Sequence, residues 1–393
     1  MHVTPKIKVL QCIRQGKIGG GESHLLSLVE NMDRTVFEPV VLSFTDGPMI
    51  DRLQALNVTT KVIYTEKPFD FTKWRAVRNF VEESDVHLIH AHGTRAGSNI
   101  LWAAKQLKLP LVYTIHGWSF HQDQNVLVKK IRVMGEKYIT RKATVNISVS
   151  ASNQQTGFKH IPGFRSTVIN NGIDTVKFNP DNDFALTRAS LGVPADKTLF
   201  LFIARFTFQK QPLALMAAFK EALAANPDIH LLMVGDGEQK EKALEWLKTE
   251  NLEKHITLLP FRQDVPGILA CADVFVLPSL WEGLPIGLLE AMAMRKTIIA
   301  TDVDGTKEII KDHENGILVD TQHMVPALTK AILQLAGDEA LRIKFANAAR
   351  HTVESRFNAR QMTTEIEKIY QQLVNPHSLV NKTAPWNLKE LPI

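Results

Sequence analysis

The segment KIKVLQCIRQGKIGGGESHLLSLVEN, residues 6–31, contains the pattern on which the fold prediction rests. A stretch of strand length ends at Ile13, and a glycine-rich loop follows over residues 16–21. Beyond this loop, apolar residues recur at the spacing of an amphipathic helix; they are Leu25, Leu26, Leu28 and Val29. The succession of strand, glycine loop and helix is typical of the first βαβ unit of a doubly wound α/β domain.

The glycine loop favours contact with phosphate, yet it excludes two common classes of nucleotide-binding protein. Residues that lack a Cβ atom allow backbone N–H groups to approach an anion closely. The loop does not match GxGxxG, however, and the Lys-Ser/Thr ending of a P-loop is missing. The sequence therefore disfavours a Rossmann dehydrogenase and a nucleoside triphosphatase.

Strand-like and helix-like segments alternate along most of the chain, which predicts two α/β domains with doubly wound parallel sheets. Turn residues concentrate over residues 171–183, and the alternation restarts after them. We therefore predict a first domain over residues 1–176 and a second over residues 177–356. A last helix over about residues 357–375 is expected to cross back and complete the first domain, and the tail 376–393 to dock loosely.

Composition indicates a globular enzyme in a reducing compartment. The chain has 393 residues, of which 45% are apolar and 22% charged, values typical of folded domains. Its two cysteines, Cys12 and Cys271, lie in separate halves without a CxxC motif, so the sequence predicts neither a disulfide scaffold nor a zinc site. Because the N-terminus lacks a signal-peptide pattern and no run reaches the ~18 apolar residues of a membrane span, we expect a cytoplasmic protein.

Charge is unevenly divided between the two halves. Residues 1–175 contain 22 Lys and Arg against 14 Asp and Glu, whereas the remainder contains 24 against 27, so the basic half is expected to meet an anionic partner. Basic and apolar residues alternate over residues 126–142. This stretch fits either a peripheral helix on an anionic inner leaflet or a domain helix that packs one face on the sheet. Because no nucleic-acid-binding motif accompanies the charge, we expect no nucleic-acid partner.

The richest functional segment is PSLWEGLPIGLLEA, residues 278–291. It follows a buried strand, and Pro285 stands where the first residue of a helix is expected. The backbone donors of Gly283 and Leu284 are therefore predicted to lie at a helix N-terminus. Such a terminus binds phosphate or hydroxyl oxygens.

Four charged side chains are the candidates for binding a phosphorylated sugar. Glu282 is placed to accept hydrogen bonds from sugar hydroxyls, and Glu290, two turns further on, from a ribose. Arg205 and Lys210 follow the most apolar strand, where two cations can hold a diphosphate and neutralise its charge as it leaves. The alternatives are an acidic first turn that complements the helix dipole and a pair of solvated surface cations.

Taken in order, the motifs resemble those of glycosyltransferase family 4 over about residues 7–373. The motifs are Gly19-Gly20-Gly21-Glu22, His90-Ala91-His92-Gly93, Thr114-Ile115-His116-Gly117, Asn171-Gly172-Ile173-Asp174, Arg205 with Lys210, Gly235-Asp236-Gly237, and Glu282 with Glu290. Each motif is short, but their order across two domains is specific. The E-x(7)-E pair together with the Arg/Lys loop contributes most to the resemblance.

The resemblance implies the GT-B architecture, in which two Rossmann-like domains with doubly wound parallel sheets face a central cleft. The first domain would lie on the acceptor side, and the second would bind the nucleotide-sugar donor. The resemblance further implies a hexosyltransferase that retains configuration and requires no metal ion or other cofactor. The expected partners are a nucleoside diphosphate sugar and, as acceptor, a cell-surface glycan or a lipid-linked sugar.

Site residues are carried over from the resemblance position by position. Arg205 and Lys210 would hold the donor diphosphate, Glu282 would contact the transferred sugar, and Glu290 would bind the nucleotide ribose. Further implied contacts are Gly20 or Gly21 and His116 near the reacting centre, and the backbone of Phe261 and Arg262 at the nucleobase. His92 and Arg95 either line the acceptor side or act as polar caps of a sheet edge, and Trp118 belongs to the same region.

Other functions stay open at this point. A GT-B relative could act as a sugar-nucleotide epimerase or a phosphorylase, and a chain that has lost catalysis could serve as a nucleotide-sugar-binding scaffold. The segment Asp302-Val303-Asp304 is formally a D-x-D metal motif. Its place after a strand favours a turn over a metal site.

Overall fold

The computed structural model describes residues 6–17, 19–121 and 124–374, which divide into two compact units. The first unit comprises the described chain up to Val149, the segment Gln154–Ile169 and the described chain from Arg360 onward. The second unit comprises Ser150–Asn153 and Asn170–Ala359. The expected tail, 376–393, lies outside the described residues.

The first unit is built on one parallel sheet. Its strands within the described residues are Ile7–Ile13 (β1), Phe37–Ser43 (β2), Thr59–Val62 (β3), Leu88–His92 (β4), Leu111–Ile115 (β5), Val145–Ser148 (β6) and Thr167–Val168 (β7). The connecting helices are Gly20–Asn31 (α1), Pro48–Ala55 (α2), Phe71–Glu83 (α3), Gly93–Gln106 (α4), Val126–Lys142 (α5) and Ala151–His160 (α6). The strand order is β3-β2-β1-β4-β5-β6-β7, with every pair parallel. The order reverses between β1 and β4, which is the switch point of a doubly wound sheet.

The second unit repeats this architecture. Its strands within the described residues are Thr198–Ile203 (β8), Ile229–Val234 (β9), Ile256–Leu259 (β10), Val274–Leu277 (β11), Thr297–Thr301 (β12) and Ile317–Val319 (β13). Its helices are Pro212–Ala225 (α7), Lys240–Thr249 (α8), Val265–Cys271 (α9), Ile286–Ala293 (α10), Asp304–Lys307 (α11), Met324–Gly337 (α12) and Glu339–Arg356 (α13). The strand order is β10-β9-β8-β11-β12-β13, again parallel throughout, so the switch point lies between β8 and β11. The prediction of two doubly wound sheets is confirmed.

The last described helix, Ala359–Val374 (α14), packs on the sheet of the first unit. Its apolar stripe is fully or almost fully buried and consists of Met362, Ile366, Ile369, Tyr370 and Leu373. The stripe contacts strand residues such as Val9, Leu88 and Val112. Burial of each such side chain contributes about 1.5–3 kcal/mol, so α14 is firmly part of this unit.

The first unit's sheet segment ends at Ile169 rather than at residue 176, where the turn residues had placed the boundary. The Ile169 N–H donates to the carbonyl of Ser148 at 3.0 Å, and its side chain packs in the hydrophobic core between the first sheet and α14. Ile173, in contrast, donates to the carbonyl of Phe357 at 2.8 Å in the second unit. Within the described residues, no helix combines the length and the apolarity needed to cross a bilayer.

Candidate active-site residues

The loop that follows β8 is fixed by close packing against the loop that follows β9. A Cβ atom at Gly235, whose φ is +142°, would lie 2.1 Å from the carbonyl oxygen of Ala204. The Phe206 N–H donates to the carbonyl of Asp236 at 2.9 Å, and the Phe206 ring is fully buried. Glycine at position 235 therefore permits the backbone path that leaves the side chain of Arg205 exposed at the carboxyl end of β8.

Lys210 and Glu282 form an ion pair between the loops that follow β8 and β11. Two hydrogen bonds hold these loops together: the side chain of Gln209 donates to the carbonyl of Trp281 at 2.6 Å, and the N–H of Leu280 donates to the carbonyl of Gln209 at 2.8 Å. The Lys210 and Glu282 side chains are only 16% and 7% exposed. A cation and a carboxylate thus lie side by side, one able to bind phosphate and the other to accept hydrogen bonds from hydroxyls.

Helix α10 begins one residue later than predicted. Pro285 is its N-cap with ψ at 112°, so Pro285 itself is extended and the expectation that it is the first helical residue was wrong. Gly283 and Leu284 consequently precede the helix. The carbonyl of Leu284 accepts a hydrogen bond from the side chain of Asn171 at 2.8 Å, and a Cβ atom at Gly305 would lie 2.0 Å from the Gly283 carbonyl. These contacts fix the backbone path directly after Glu282.

The other predicted donor contacts lie around the same sheet edge. Glu290 is partly buried on α10. The N–H of Phe261 donates to the Asp236 carboxylate at 2.8 Å, and the Phe261 side chain is 43% exposed. The Arg262 guanidinium donates to both carboxylate oxygens of Asp264, which lowers the pKa of Asp264 and raises that of Arg262. The backbone donor of Phe261 is therefore already engaged by Asp236.

In the first unit, a chain of hydrogen bonds leads from α14 to His116. Gln11 on β1 donates through its Nε2 to the hydroxyl of Tyr370 at 3.0 Å, and its Oε1 lies 2.9 Å from Nε2 of His92. The Nδ1 of His92 lies 3.1 Å from the Nε2 of His116. His90 lies beside this chain and bonds the hydroxyls of Tyr370 and Thr114 through its two ring nitrogens.

His116 follows β5 directly and is partly exposed, unlike the fully buried His90 and His92. Burial, and after it the neighbouring imidazoles, hold the pKa of all three rings well below the usual value, so they are neutral at pH 7. A Cβ atom at Gly21 would lie 3.4 Å from Cδ2 of His116, whereas one at Gly20 would meet open space. The glycine loop and His116 therefore lie together where the carboxyl ends of the strands of this sheet meet.

Two of the three acceptor-side candidates are buried rather than presented to solvent. His92 is 2% exposed and occupied by Gln11 and His116. Trp118 is 7% exposed and packs against Phe120 and Phe164, with ring centroids 5.2 and 5.3 Å away. Arg95 is partly exposed, and burial lowers the pKa of its guanidinium. The structure thus keeps Arg95 and His116 as the accessible polar groups among these candidates.

Sequence reasoning missed three residues of the first site. Gln11 lies inside β1 and Tyr370 on α14, and neither was among the predicted site residues. His24, on α1, lies with its ring centroid 4.7 Å from that of His116. A polar amide inside a fully buried strand was the available signal, because such a group requires a buried partner.

Two family models match the chain. The model described as Glycosyltransferase Family 4 matches residues 18–177, and the model described as Glycosyl transferases group 1 matches residues 183–352. The two matches together span most of the chain, and each lies largely within one half of it.

Curated relatives and solved structures agree with these matches. The chain is 27% identical over 380 residues to the UDP-Gal:alpha-D-GlcNAc-diphosphoundecaprenol alpha-1,3-galactosyltransferase of Escherichia coli, covering 94% of this chain and 98% of that protein. It is 29% identical over 304 residues to the putative teichuronic acid biosynthesis glycosyltransferase TuaC of Bacillus subtilis, covering 75% and 74%. The structure of Anabaena Alr3699/HepE in complex with UDP and glucose superposes with a TM-score of 0.79 at 22% identity, covering 93% of this chain and 100% of that one.

Proposed function

The chain belongs to glycosyltransferase family 4 and has the GT-B fold, and from this premise we propose that it transfers a hexose from a uridine diphosphate sugar to a hydroxyl of a lipid-linked or cell-surface glycan. We further propose that the configuration at the anomeric carbon is retained and that transfer needs no metal ion. The Escherichia coli relative supports the acceptor class, since it acts on a diphosphoundecaprenol-linked sugar. The similar structure of Anabaena Alr3699/HepE, which holds UDP and glucose, supports the donor class.

The Lys210–Glu282 pair is the observation that carries this proposal. Strands β8 and β11 are neighbours at the switch point of the second sheet, and open α/β sheets bind ligands at the carboxyl ends of such strands. Lys210 and the exposed Arg205 supply positive charge for a diphosphate in the loop after β8. Glu282 supplies the carboxylate that accepts hydrogen bonds from the hydroxyls of the transferred sugar.

The proposed reaction breaks the bond between the anomeric carbon and a diphosphate oxygen and forms one from that carbon to the acceptor oxygen. Retention without a covalent intermediate follows when the acceptor attacks from the face on which the diphosphate leaves. The departing phosphate oxygen then takes the proton of the acceptor hydroxyl. Arg205 and Lys210 neutralise the charge that develops on the diphosphate, which is the role a metal ion would otherwise fill.

His116 is assigned to the donor sugar. Its Nε2 faces Nδ1 of His92, which Gln11 orients in turn, so the other ring nitrogen of His116, Nδ1, is the one that can bond a sugar hydroxyl. Gly21 lets the loop backbone come close to this ring, because a Cβ atom there would lie 3.4 Å from Cδ2 of His116. His116 would thus orient a sugar hydroxyl rather than move a proton.

A transfer assay in excess chelator tests this proposal. UDP-sugars are supplied with a diphosphate-linked N-acetylhexosamine lipid, and the anomeric configuration of the product is read by NMR. We expect Lys210→Met to lower the rate by about 10²-fold or more, because one stabilising charge at the leaving group is lost. The matched control is Lys220→Met on α7, which removes the surface ion pair of Lys220 with Glu250 and should leave the rate unchanged.

Three results would contradict the proposal. Unchanged transfer by Lys210→Met would show that the diphosphate does not bind at the loop after β8. An inverted product would reject retention. A strict requirement for Mg²⁺ would show that the two cations do not suffice at the leaving group.

The exposed face of α5 supports a peripheral membrane contact as part of this function. Apolar residues three or four positions apart form an exposed stripe on one side of this helix. They are Leu127, Ile131, Met134 and Tyr138, which are 67%, 61%, 69% and 52% exposed. The opposite side buries Glu136, Ile139 and Thr140. Both interpretations of this stretch therefore describe one helix, which packs on the unit through one face and leaves an apolar face outside.

Basic side chains flank the α5 stripe. Lys130, Arg141 and Lys142 are exposed on the same helix. An apolar stripe bordered by cations matches the acyl boundary and the anionic headgroups of a bilayer surface. This contact would bring the enzyme to a lipid-linked acceptor.

Vesicle flotation tests the membrane contact. We expect the chain to float with vesicles that contain phosphatidylglycerol and to stay behind with pure phosphatidylcholine, since both apolar insertion and charge are needed. The double substitution Ile131→Ser with Met134→Ser should abolish flotation. Ile343→Ser on α13, where the side chain is 55% exposed, is the matched control. Equal flotation of both variants would contradict the assignment of α5.

A further inference from the structure

Three histidines of the first unit converge at the carboxyl ends of strands β4 and β5. His24 lies on α1, His92 ends β4 and His116 follows β5. One ring nitrogen from each lies within 4.8 Å of the others. The ring centroid of His24 lies 5.5 Å from that of His92 and 4.7 Å from that of His116. Adjacent strands of a parallel sheet end at the same edge, which explains how residues so far apart in sequence meet.

The hydrogen bonds of Gln11 fix which nitrogen of His92 faces the cluster. Gln11 uses its amide N–H to donate to Tyr370, so its carbonyl oxygen is directed at Nε2 of His92. Nε2 must then carry the proton, and Nδ1 keeps its lone pair. That lone pair points to Nε2 of His116, 3.1 Å away. A ligating histidine is held in this way, with one nitrogen donating to a protein oxygen and the other turned to the ion.

His90 shows what a structural histidine looks like in the same sheet. Its two nitrogens bond the hydroxyls of Tyr370 and Thr114, at 2.5 and 2.7 Å, so the ring is satisfied by oxygen partners on both sides. His92 and His116 instead turn nitrogen toward nitrogen. Two lone pairs can share that space when a proton or a cation lies between them.

We propose that His24, His92 and His116 form a binding site for a divalent transition-metal ion of the zinc class. Zinc binds imidazole nitrogens at about 2.0–2.1 Å, which places neighbouring ligands of a tetrahedron about 3.4 Å apart. The nitrogens of His92 and His116 are already close to that spacing. His24 needs to approach by about 1.5 Å at most, a movement within reach of a side-chain rotation.

The chemistry of the ligands selects the ion. Neutral imidazole suits Zn²⁺, Co²⁺, Ni²⁺ and Cu²⁺, whereas Mg²⁺ and Ca²⁺ prefer oxygen. Three protein ligands leave a fourth position for water or for a hydroxyl of a bound sugar. Its three ligands belong to the first unit, whereas the metal-free diphosphate binding is proposed for side chains of the second.

Calorimetric titration of the full chain with ZnCl₂ tests the site. The protein carries no affinity tag, is treated with chelator beforehand and contains no donor sugar, so the result does not depend on transferase activity. We expect one Zn²⁺ per chain and, with Co²⁺, the visible absorption of a tetrahedral nitrogen site. His24→Ala and His116→Ala should each abolish the stoichiometric binding and the absorption.

Second variants separate ligand loss from misfolding. Gln11→Leu keeps all three imidazoles but removes the oxygen that orients His92, and it should weaken binding about 10- to 100-fold. His323→Ala, at an exposed histidine paired with Asp320 in the second unit, is the matched control and should bind as the unaltered chain does. Thermal melts and circular dichroism confirm that each variant is folded.

The outcomes decide the proposal in either direction. Absence of binding to the unaltered chain, or unchanged binding after loss of His24 or His116, would overturn it. Loss of binding in His323→Ala would place the ion elsewhere and would also overturn it. A last expectation rests on the proposed role of His116 in transfer: bound Zn²⁺ should slow the reaction, and chelator should restore its rate.

Discussion

The two candidate sites lie at the carboxyl ends of the strands of two similar sheets, but one is charged and the other is neutral. In the second unit, Lys210 meets Glu282 in an ion pair between the loops that follow β8 and β11. In the first unit, His92 at the end of β4 meets His116 after β5, and both rings are neutral. In the charged pair, Lys210 can exchange Glu282 for an incoming diphosphate. A neutral chain with fixed donors and acceptors keeps its geometry and is suited to orienting an uncharged group.

Exchange of the two charges should have the largest effect. The double substitution Lys210→Glu with Glu282→Lys keeps an ion pair in the same place but moves the cation to the other loop. We expect transfer to fall about 10²-fold or more while the melting temperature stays close to that of the unaltered chain. Steady-state transfer kinetics and calorimetry measure the two quantities. Transfer within tenfold of the original rate would show that the position of the cation is unimportant.

The next largest effect is expected from Gly235→Ala. The added Cβ would lie 2.1 Å from the Ala204 carbonyl, and φ there is +142°, so the loop that carries Arg205 must move. We expect a loss of about 1–3 kcal/mol in the free energy of unfolding and weaker UDP binding. Gly337→Ala, where a Cβ meets nothing within 4 Å, is the control. Unaltered UDP affinity in Gly235→Ala would separate this loop from the donor.

Acid should destabilise the first unit through its buried imidazoles. Burial, and then the neighbouring rings, hold the pKa of His90 and His92 well below 6.5. Above about pH 6.5 the folded and unfolded chains are both neutral at these positions, so the full stability is present. Below that pH the unfolded chain takes up protons that the folded chain cannot, and the free energy of unfolding falls by about 1.4 kcal/mol per pH unit for each ring.

Denaturant titrations at several pH values between about 7.5 and 5 measure this slope. His90→Gln should make the slope shallower, because one buried titrating ring is removed. Ile343→Ser, at an exposed apolar side chain of the second unit, should leave it unchanged. A slope that His90→Gln does not alter would assign the acid sensitivity to other groups.

The smallest effect is expected from Tyr370→Phe. This change removes the hydroxyl that bonds Gln11 and His90 but keeps the buried ring, so we expect a loss of about 1–3 kcal/mol in stability. UDP affinity should not change, since the hydroxyl lies in the first unit. Tyr138→Phe on the exposed face of α5 is the control. A parallel loss of UDP affinity would show that the two sites are not independent.

The second site was largely predictable from sequence, and the first was not. Arg205, Lys210 and Glu282 are charged residues in the loops that follow apolar strands, a pattern that also fits solvated surface charges, and the resemblance to glycosyltransferase family 4 supplied their roles. The network of the first unit depends on Tyr370, which bonds Gln11 across 359 positions of sequence. No local pattern shows that partner, so neither residue was among the predicted site residues.

Local geometry also limited the prediction in finer detail. Pro285 was expected inside the helix, but its ψ of 112° makes it the N-cap. A proline satisfies the sequence signal of a helix start equally well at either position, because its missing N–H is tolerated at both. Trp118 was expected near the acceptor, and only the packing of Phe164 against it shows that it belongs to the core.

Calorimetric titration with UDP in excess chelator tests whether side-chain cations of the second unit hold the nucleoside diphosphate. We expect metal-free binding that weakens about tenfold or more in Arg205→Ala, because one charge-assisted contact is lost. His116→Gln should bind UDP as the unaltered chain does, since that side chain is assigned to the sugar. Binding that appears only with Mg²⁺, or unchanged UDP affinity in Arg205→Ala, would show that these cations do not hold the diphosphate.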